Sequence, residues 1–242
     1  MSETSTVYEA IRSVWNDKDD EAYRQDQSHY RGVGRWADDV LWQGIGQSSL
    51  EKVRFLFRLA GRSPTTLQDL VALEWGPGGG ANAFGLQSIS QKYYGVDISE
   101  KNLAECKRLM TAEGRPDYIT PVLLDGPPSS VKDSISDSID LFLSTAVFQH
   151  FPSKEYGLEV LNAIRSVCKT GALGFIQIRF DNGNEKYRGI KDLADYELQH
   201  ITATSYRLDQ FWDAIGNASF RPLSINALRT TNNYATYFMT AV

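Results

Sequence analysis

Cysteine is scarce in this sequence: among 242 residues, only Cys106 and Cys168 carry a thiol. Neither belongs to a Cys-x-x-Cys pair or a metal-spaced set, so the pattern favours reduced core thiols in a cytosolic protein. Long apolar runs are missing too, and none approaches the roughly 18 residues that a membrane span requires. The first residues, MSETSTVYEAIRSVWNDKDDEAY, are polar and acidic, unlike a signal peptide. We expect a cytoplasmic protein with no membrane partner.

Positive charge is also in short supply, since 25 lysines and arginines stand against 30 aspartates and glutamates. The formal net charge of -5 argues against a nucleic-acid partner held by phosphate contacts, although a local basic patch stays open. The chain is 42% hydrophobic and 23% charged, as in ordinary globular proteins. Its length suits one large domain, or one domain with an appendage.

Strand-like and helix-like segments alternate from residue 48 onward. The segments LQDLVALEW, YYGVDIS, YITPVLLDG, SIDLFLSTAV and ALGFIQIRF are predicted as strands with helices between them. Two further strands, PLSINALR and YATYFMTAV, are joined around Thr230 to Asn233, too closely to be parallel. The sequence therefore predicts an α/β fold: a doubly wound, mostly parallel seven-stranded sheet with a C-terminal antiparallel hairpin and helices on both faces.

Two stretches fall outside this alternation. Residues 1–47 are rich in aromatic side chains and are interpreted as a cap over the end of the sheet or as a lid over a ligand. The helix SSLEKVRFLFRLAG then opens the main domain, residues 48–242, with Ser48 or Ser49 as its N-cap and Gly61 at its end. Residues 181–203 show little periodicity and are predicted to be an insertion over the substrate side.

The stretch VALEWGPGGGANAFGL places four glycines in the five positions from Gly76 to Gly80, broken only by Pro77. Glycine tolerates positive φ and lacks Cβ, so this loop can turn sharply and let a ligand approach its backbone. The letters fit the dinucleotide pattern G-x-G-x-x-A, and equally E-x-G-x-G-x-G with Glu74 at its head. The Glu74 carboxylate would repel a pyrophosphate and attract a cation such as S-adenosylmethionine, or it could bond to backbone amides of the loop.

Four motifs in order make the chain similar to the class I S-adenosylmethionine-dependent methyltransferases, over about Leu50 to Val242. VALEWGPGGGANA resembles the family's first motif, and YYGVDIS resembles the second, which implies that Asp97 holds the ribose hydroxyls. VLLDG resembles the third, which implies that Asp125 accepts from the adenine amino group, and IDLFLSTAVFQHF resembles the fourth. Trp75 departs from the family's usual small or aliphatic residue. The cofactor residues that the resemblance implies are Glu74, Gly76, Pro77, Gly78, Gly80, Asp97, Ile98, Asp125, Gly126, Thr145, Ala146 and Phe148.

Methyl transfer to oxygen requires aligned reactants, exclusion of water and a base for the hydroxyl proton. His150 follows the fourth strand and is the candidate base, with packing or capping as the alternative interpretation. His200, in the insertion, is the weaker candidate. No His/Asp/Glu cluster with ligand spacing occurs, so no metal is expected.

Candidate acceptor contacts come from two places. Arg179 and Asp181 follow the fifth strand, where they could bind polar substrate groups or pair with each other. Tyr30 and Trp36 lie in the N-terminal segment QSHYRGVGRWADDVLW. Planar aromatics together with Arg and Asp suit a sugar or another polyhydroxylated acceptor.

The leading hypothesis is an S-adenosylmethionine-dependent methyltransferase that acts on a small molecule, most simply a hydroxyl of a sugar or glycan, and releases S-adenosylhomocysteine. One alternative is an NAD(P)-dependent oxidoreductase, which Glu74 and the closing hairpin disfavour. Another is a non-catalytic S-adenosylmethionine-binding protein of the same fold. The predicted partner is a small-molecule acceptor and not a nucleic acid or a membrane, and a homodimer is left open.

Overall fold

A computed structural model describes residues 3–17, 20–63, 65 and 67–242, and at its centre lies a seven-stranded sheet with the order β3-β2-β1-β4-β5-β7-β6. Strands β1 to β5 pair in parallel, whereas β7 runs antiparallel to β5 and β6. The predicted fold class is confirmed. The strands are β1 (Leu70–Trp75), β2 (Ser90–Asp97), β3 (Ile119–Leu123), β4 (Ile139–Ser144), β5 (Cys168–Arg179), β6 (Phe220–Arg229) and β7 (Tyr234–Ala241).

Helices cover both faces of the sheet. They are α1 (Glu3–Arg12), α2 (Glu21–Gln27), α3 (Asp39–Leu59), α4 (Ala81–Leu86), α5 (Glu100–Ala112), α6 (Val131–Ser134), α7 (Lys154–Val167), α8 (Tyr196–Gln199) and α9 (Leu208–Asn217). Within the described ranges, none of the helices has the length and apolar character needed to cross a bilayer. Successive side chains of a strand point to opposite faces. Ala72 of β1 accordingly packs into the core beside α3, α4 and α5, whereas Leu73 and Trp75 pack into the core beside α7 and α9.

Helix α3 begins well before the predicted cap at Ser48 or Ser49. Its N-cap is Asp38, whose side chain accepts the backbone N–H groups of Val40 and Leu41, as short acidic caps do. The glycines at positions 44 and 46 hid this extension, because glycine disfavours helix interiors. The boundary predicted between residues 47 and 48 therefore falls inside one continuous helix.

Gly46 is needed where α3 crosses α4. A Cβ on Gly46 would lie 2.4 Å from the carbonyl oxygen of Ala81, and a Cβ on Gly85 would lie 2.4 Å from the Cα of Gly46. The two backbones are therefore in direct contact. This crossing fixes α4, whose N-terminal end completes the glycine loop.

The second strand begins earlier than the predicted segment YYGVDIS. Helix α4 ends at Leu86, and β2 already begins at Ser90, where the Ser90 hydroxyl bonds to the Leu86 carbonyl oxygen at 2.9 Å. Cys168 opens β5 directly after α7, because its backbone already adopts an extended conformation. Helix α5 is capped by Ser99, whose hydroxyl accepts the N–H of Asn102.

We predict that Gly46→Ala lowers the free energy of unfolding by about 1–3 kcal/mol or more, because the new methyl group meets backbone atoms that cannot move aside. Gly44→Ala is the matched control, since a Cβ there has no neighbour within 4 Å. It should stabilise α3 by up to about 1 kcal/mol through helix propensity. Denaturant unfolding measures both, and equal effects would refute the close crossing.

Candidate active site

The glycine loop joins β1 to α4 where the strand order of the sheet reverses. Gly76, Gly78 and Gly80 have φ angles of 76°, 52° and 86°, a region that residues with a Cβ rarely adopt. The Gly76 N–H donates to the carbonyl oxygen of Val96 at 2.8 Å. The carboxyl ends of β1 and β2 are thereby held together at the position where ligands of such sheets bind.

The backbone of residues 28–30 lies directly on this loop. The Gly79 N–H donates to the carbonyl oxygen of Ser28 at 2.6 Å. A Cβ on Gly78 would lie 2.4 Å from that same oxygen, and a Cβ on Gly79 would lie 2.7 Å from the carbonyl oxygen of His29. Two of the glycines are therefore required by the protein's own N-terminal segment, a reason that the sequence did not reveal.

Glu74 is buried beneath the loop and does not line the cavity. Its carboxylate accepts from Asn82 Nδ2 at 2.5 Å and from the Tyr93 hydroxyl at 2.7 Å. The Asn82 amide also donates to Thr145 Oγ1 at 2.9 Å and accepts from the Ser49 hydroxyl at 2.7 Å. Burial raises the pKa of Glu74 to about 7, against the effect of these hydrogen bonds. Glu74 thus links β1, β2 and α4. Its carboxylate is connected to the cavity through Asn82 and Thr145 and does not itself contact a ligand there.

Asp97 ends β2 and faces the cavity. One carboxylate oxygen accepts the Ser99 N–H at 2.8 Å, and the other accepts from Asn102 Nδ2 at 3.3 Å. Burial raises the pKa of Asp97 to about 6, and hydrogen bonds to the carboxylate oppose that shift. At neutral pH the group is therefore mostly an ionised hydrogen-bond acceptor at the edge of the sheet.

One cavity opens at this edge and contains about 720 Å³ of empty space, including its mouth. The wall along the ends of β1, β2 and β4 comprises Trp75, Gly76, Gly78, Val96, Asp97, Ile98, Asn102, Leu124, Thr145 and Ala146. The opposite wall comprises Ile11, Trp15, Gln27, Ser28, His29, Val147, His150, Phe151 and Tyr156.

His150 lies in the opposite wall with both ring nitrogens occupied. Its Nδ1–H donates to the carbonyl oxygen of His200 at 2.8 Å, which leaves Nε2 to accept from Gln149 Nε2 at 3.1 Å. The Trp15 ring contacts the imidazole edge to face, with centroids 4.7 Å apart. Burial is the main cause that lowers the pKa of His150 to about 3. The ring is therefore neutral and a weak base, and its general-base role stays a prediction that this environment disfavours.

The cavity brings together half of the predicted cofactor residues. Those in its wall are Gly76, Gly78, Asp97, Ile98, Thr145 and Ala146. Those outside it are Glu74, Pro77, Gly80, Asp125, Gly126 and Phe148. Asp125 is exposed one residue beyond the lining residue Leu124, and Phe148 is fully buried against Phe151. Their roles toward a cofactor stay predictions.

The predicted acceptor contacts Tyr30 and Trp36 do not line the cavity. The Tyr30 hydroxyl donates to the carbonyl oxygen of Lys101 at 2.8 Å. Trp36 Nε1 donates to the carbonyl oxygen of Asp26 at 2.7 Å. Both side chains hold the N-terminal segment in place instead of facing a ligand.

Arg179 and Asp181 also lie outside the cavity wall, and they do not pair with each other. The buried Arg179 guanidinium donates to the Tyr234 hydroxyl at 2.9 Å and to the Thr202 hydroxyl. Asp181 accepts the Gly183 N–H at 2.8 Å in a local turn. Among the residues that the structure describes, no group of three His, Cys, Asp or Glu side chains is placed to hold a metal ion.

The sequence did not identify most of the cavity-wall residues that come from the N-terminal segment. Trp15 belongs to the aromatic-rich segment that drew attention, but nothing in the periodicity singles out Ile11, Ser28 or His29. Asn102 carried a usable signal, because it lies in the first turn of the helix that follows Asp97.

Comparison with known proteins agrees with this architecture. Residues 73–176 match the family described as Methyltransferase domain. The structure of magnesium protoporphyrin IX methyltransferase (ChlM) from Synechocystis PCC 6803 with bound SAM covers 97% of this chain and 97% of its own, at 15% identity and a TM-score of 0.63. No curated protein matches this chain.

Two other solved structures share the fold. The CcbJ methyltransferase from Streptomyces caelestis covers 78% of this chain and 94% of its own, at 12% identity and a TM-score of 0.58. The [4+2]-cyclase SpnF covers 78% of this chain and 80% of its own, at 11% identity and a TM-score of 0.55. The protein thus has the fold of the class I S-adenosylmethionine-dependent methyltransferases. Its residues 73–176 match the methyltransferase domain family, a match that implies S-adenosylmethionine as the cofactor and supports methyl transfer as the activity.

We predict that ionisation of Glu74 makes the protein less stable as the pH rises from about 4.5 to 7. The folded pKa of about 7 exceeds the ordinary value of 4.5, so the stabilising contribution is complete below 4.5 and is lost as the pH passes 7. Glu74→Gln should weaken this pH dependence of the free energy of unfolding. Some dependence should remain, because the raised pKa of Asp97 acts in the same direction.

Denaturant unfolding between pH 4.5 and 7.5 measures this effect. Glu51→Gln, at an exposed position of α3, is the control and should keep the wild-type profile. A Glu74→Gln profile parallel to that of the wild type would contradict the assignment.

Proposed function

We propose that this protein transfers the methyl group of S-adenosylmethionine to a hydroxyl of a small, planar and largely apolar acceptor. The observation that carries the proposal is that one cavity holds both halves of such a site: residues at the carboxyl ends of β1, β2 and β4 face a mainly aromatic and aliphatic wall. A cofactor on one side and an acceptor on the other would then meet without a barrier between them.

The chemistry of the Asp97 side suits the cofactor. Each Asp97 oxygen accepts one hydrogen bond, from Ser99 or Asn102, and a carboxylate retains further lone pairs for the two ribose hydroxyls. Gly76 and Gly78 present backbone without side chains to the same space. S-adenosylmethionine, when bound, supplies a methyl group on a sulfonium that is an excellent leaving group.

The acceptor side is mainly apolar. Ile11, Trp15, Val147, Phe151 and Tyr156 provide most of this wall, and flat rings pack well on such surfaces. A sugar would bring several hydroxyls, and the few polar side chains of this wall would leave some of them without partners, at a cost in binding free energy for each. A planar acceptor with one hydroxyl therefore suits the wall better than the polyhydroxylated acceptor expected from the sequence.

The N-terminal segment would exclude water from the reaction. Residues 28–30 lie on the glycine loop, and Trp15 and Ile11 close the acceptor side. We therefore assign the described residues before α3, 3–17 and 20–38, as a cover over the reacting groups, a function that enclosed active sites require. The insertion, residues 181–203, would contribute by holding His150 through the His200 carbonyl oxygen.

A second candidate function is other chemistry at the same kind of site. The [4+2]-cyclase SpnF shares this fold, so the fold alone does not require methyl transfer. The sequence also left open an oxidoreductase and a non-catalytic binding protein. The binding measurements below test for the first, and the turnover measurements test for the second.

We predict that S-adenosylhomocysteine binds at pH 8 and that Asp97→Asn weakens binding by roughly 10- to 100-fold, because hydrogen bonds to a charged acceptor contribute about 1.5–3 kcal/mol. Affinity in the wild type should fall as the pH drops through about 6, where Asp97 becomes protonated. Asp97→Asn should lack this step. Calorimetric titration gives these constants.

Asp213→Asn is the matched control for this titration, because Asp213 is exposed on α9 and lies outside the cavity wall. The titration also includes NADH. Binding of NADH without S-adenosylhomocysteine would refute the proposed cofactor and favour the oxidoreductase.

We predict that Trp15→Ala raises the KM of the wild-type enzyme for planar phenols about tenfold or more, because a large ring is lost from the acceptor wall. Affinity for S-adenosylhomocysteine should change less than twofold. Trp212→Ala, on α9 and away from the cavity, is the control. Release of S-adenosylhomocysteine with phenols and with glycosides measures turnover, and a preference for glycosides would favour the sugar acceptor.

A further inference from the structure

Two histidines line the cavity, and their hydrogen bonding differs. Both ring nitrogens of His150 have partners, the His200 carbonyl oxygen and the Gln149 amide. No residue that the structure describes forms a hydrogen bond with a ring nitrogen of His29. Neither of the two nitrogens is fully buried. The His29 nitrogens therefore remain accessible, and His29 is the histidine of this cavity with a free ring nitrogen.

The backbone of His29 is held in an unusual conformation. Its φ is 60°, a left-handed value that a residue other than glycine adopts only when its surroundings enforce it. The enforcing contacts are the Trp42 Nε1–H bond to the His29 carbonyl oxygen at 2.7 Å and the packing of Gly79 against that oxygen. The Trp36 ring contacts the imidazole edge to face at 4.5 Å.

Burial, more than the charged neighbours, leaves the His29 ring neutral. Burial is the largest cause that lowers the pKa of His29 to about 4, and the Arg35 guanidinium lowers it further, whereas Asp26 opposes them. Asp26 is itself paired with Arg35 at 2.8 Å. At neutral pH the imidazole thus has one unprotonated nitrogen available.

We propose that His29 is the catalytic base of the reaction and accepts the proton of the acceptor hydroxyl. In this step the acceptor oxygen bonds to the methyl carbon while the carbon–sulfur bond breaks and leaves its electron pair on sulfur. The hydroxyl proton passes to the unprotonated ring nitrogen of His29, and the imidazolium then releases it to solvent. The inference rests on the proposed function and replaces His150 in the role expected from the sequence.

A weak base is sufficient for this step. The hydroxyl proton becomes strongly acidic as its oxygen bonds to carbon and gains positive charge, so transfer to a neutral imidazole becomes favourable as the bond forms. His150, with its nitrogens engaged, then orients the neighbouring wall. His29 comes from the segment that lies on the glycine loop, so the base is in position only when that segment covers the site.

The test compares His29→Asn with the wild type on two phenols at pH 8: 4-methylphenol, which keeps its proton, and 4-nitrophenol, which is largely ionised. Asparagine tolerates the left-handed backbone but is no base. We expect kcat/KM for 4-methylphenol to fall by about 10²–10⁴-fold. The loss for 4-nitrophenol should be less than tenfold, since no proton has to be removed.

Equal losses on both phenols would overturn the proposal, because a structural defect does not depend on acceptor acidity. His150→Gln is the comparison variant, and a loss confined to 4-methylphenol in that variant alone would return the role to His150. Calorimetric titration with S-adenosylhomocysteine should give His29→Asn an affinity within twofold of the wild type. Failure of this ligand to bind the wild type would instead refute the proposed function.

A second readout requires no turnover. In the complex with S-adenosylhomocysteine, 4-methylphenol should shift the imidazole NMR resonances of His29, assigned from the His29→Asn spectrum. A wild type that methylates neither phenol counts against the proposed acceptor class, and the NMR titration then decides on His29 alone. Unshifted His29 resonances at saturating phenol would overturn the inference.

Discussion

The contact between the glycine loop and the backbone of residues 28–30 is the constraint on which the site depends. At the bond from the Gly79 N–H to the Ser28 carbonyl oxygen, the two backbones approach so closely that neither Gly78 nor Gly79 has room for a Cβ. It places the N-terminal segment against the ends of β1 and β2, so that the segment supplies about half of one wall of the cavity. Without this contact, the cavity would be open on the side that Trp15, Ser28 and His29 now close.

The fold could be predicted from the sequence because its signals are local. Each strand is an apolar run bounded by turn residues, and the short link before β7 excludes a parallel pair. What could not be predicted is where tertiary contacts override local preference. Gly44 and Gly46 would interrupt an isolated helix, yet α3 passes through both because its crossing with α4 requires a position without Cβ.

The candidate site divides in the same way. Asp97 could be located from the sequence, since the end of a strand at a switch point is a predictable place. Residues such as Trp15 and His29 come from a segment that reaches the sheet through tertiary packing, and no spacing in the chain indicates that approach. Composition was misleading for Tyr30 and Trp36, because the residue type alone does not distinguish an aromatic side chain that anchors a segment from one that binds a ligand.

The order of the last three strands has a consequence for synthesis of the chain. β7 follows β6 in the sequence but lies between β5 and β6 in the sheet, so β5 has no partner on that side until residue 241 has left the ribosome. During translation, the apolar edge formed by Phe175, Ile176 and Ile178 is therefore unpaired. The nascent protein should need protection from aggregation at this edge until β7 has paired with β5.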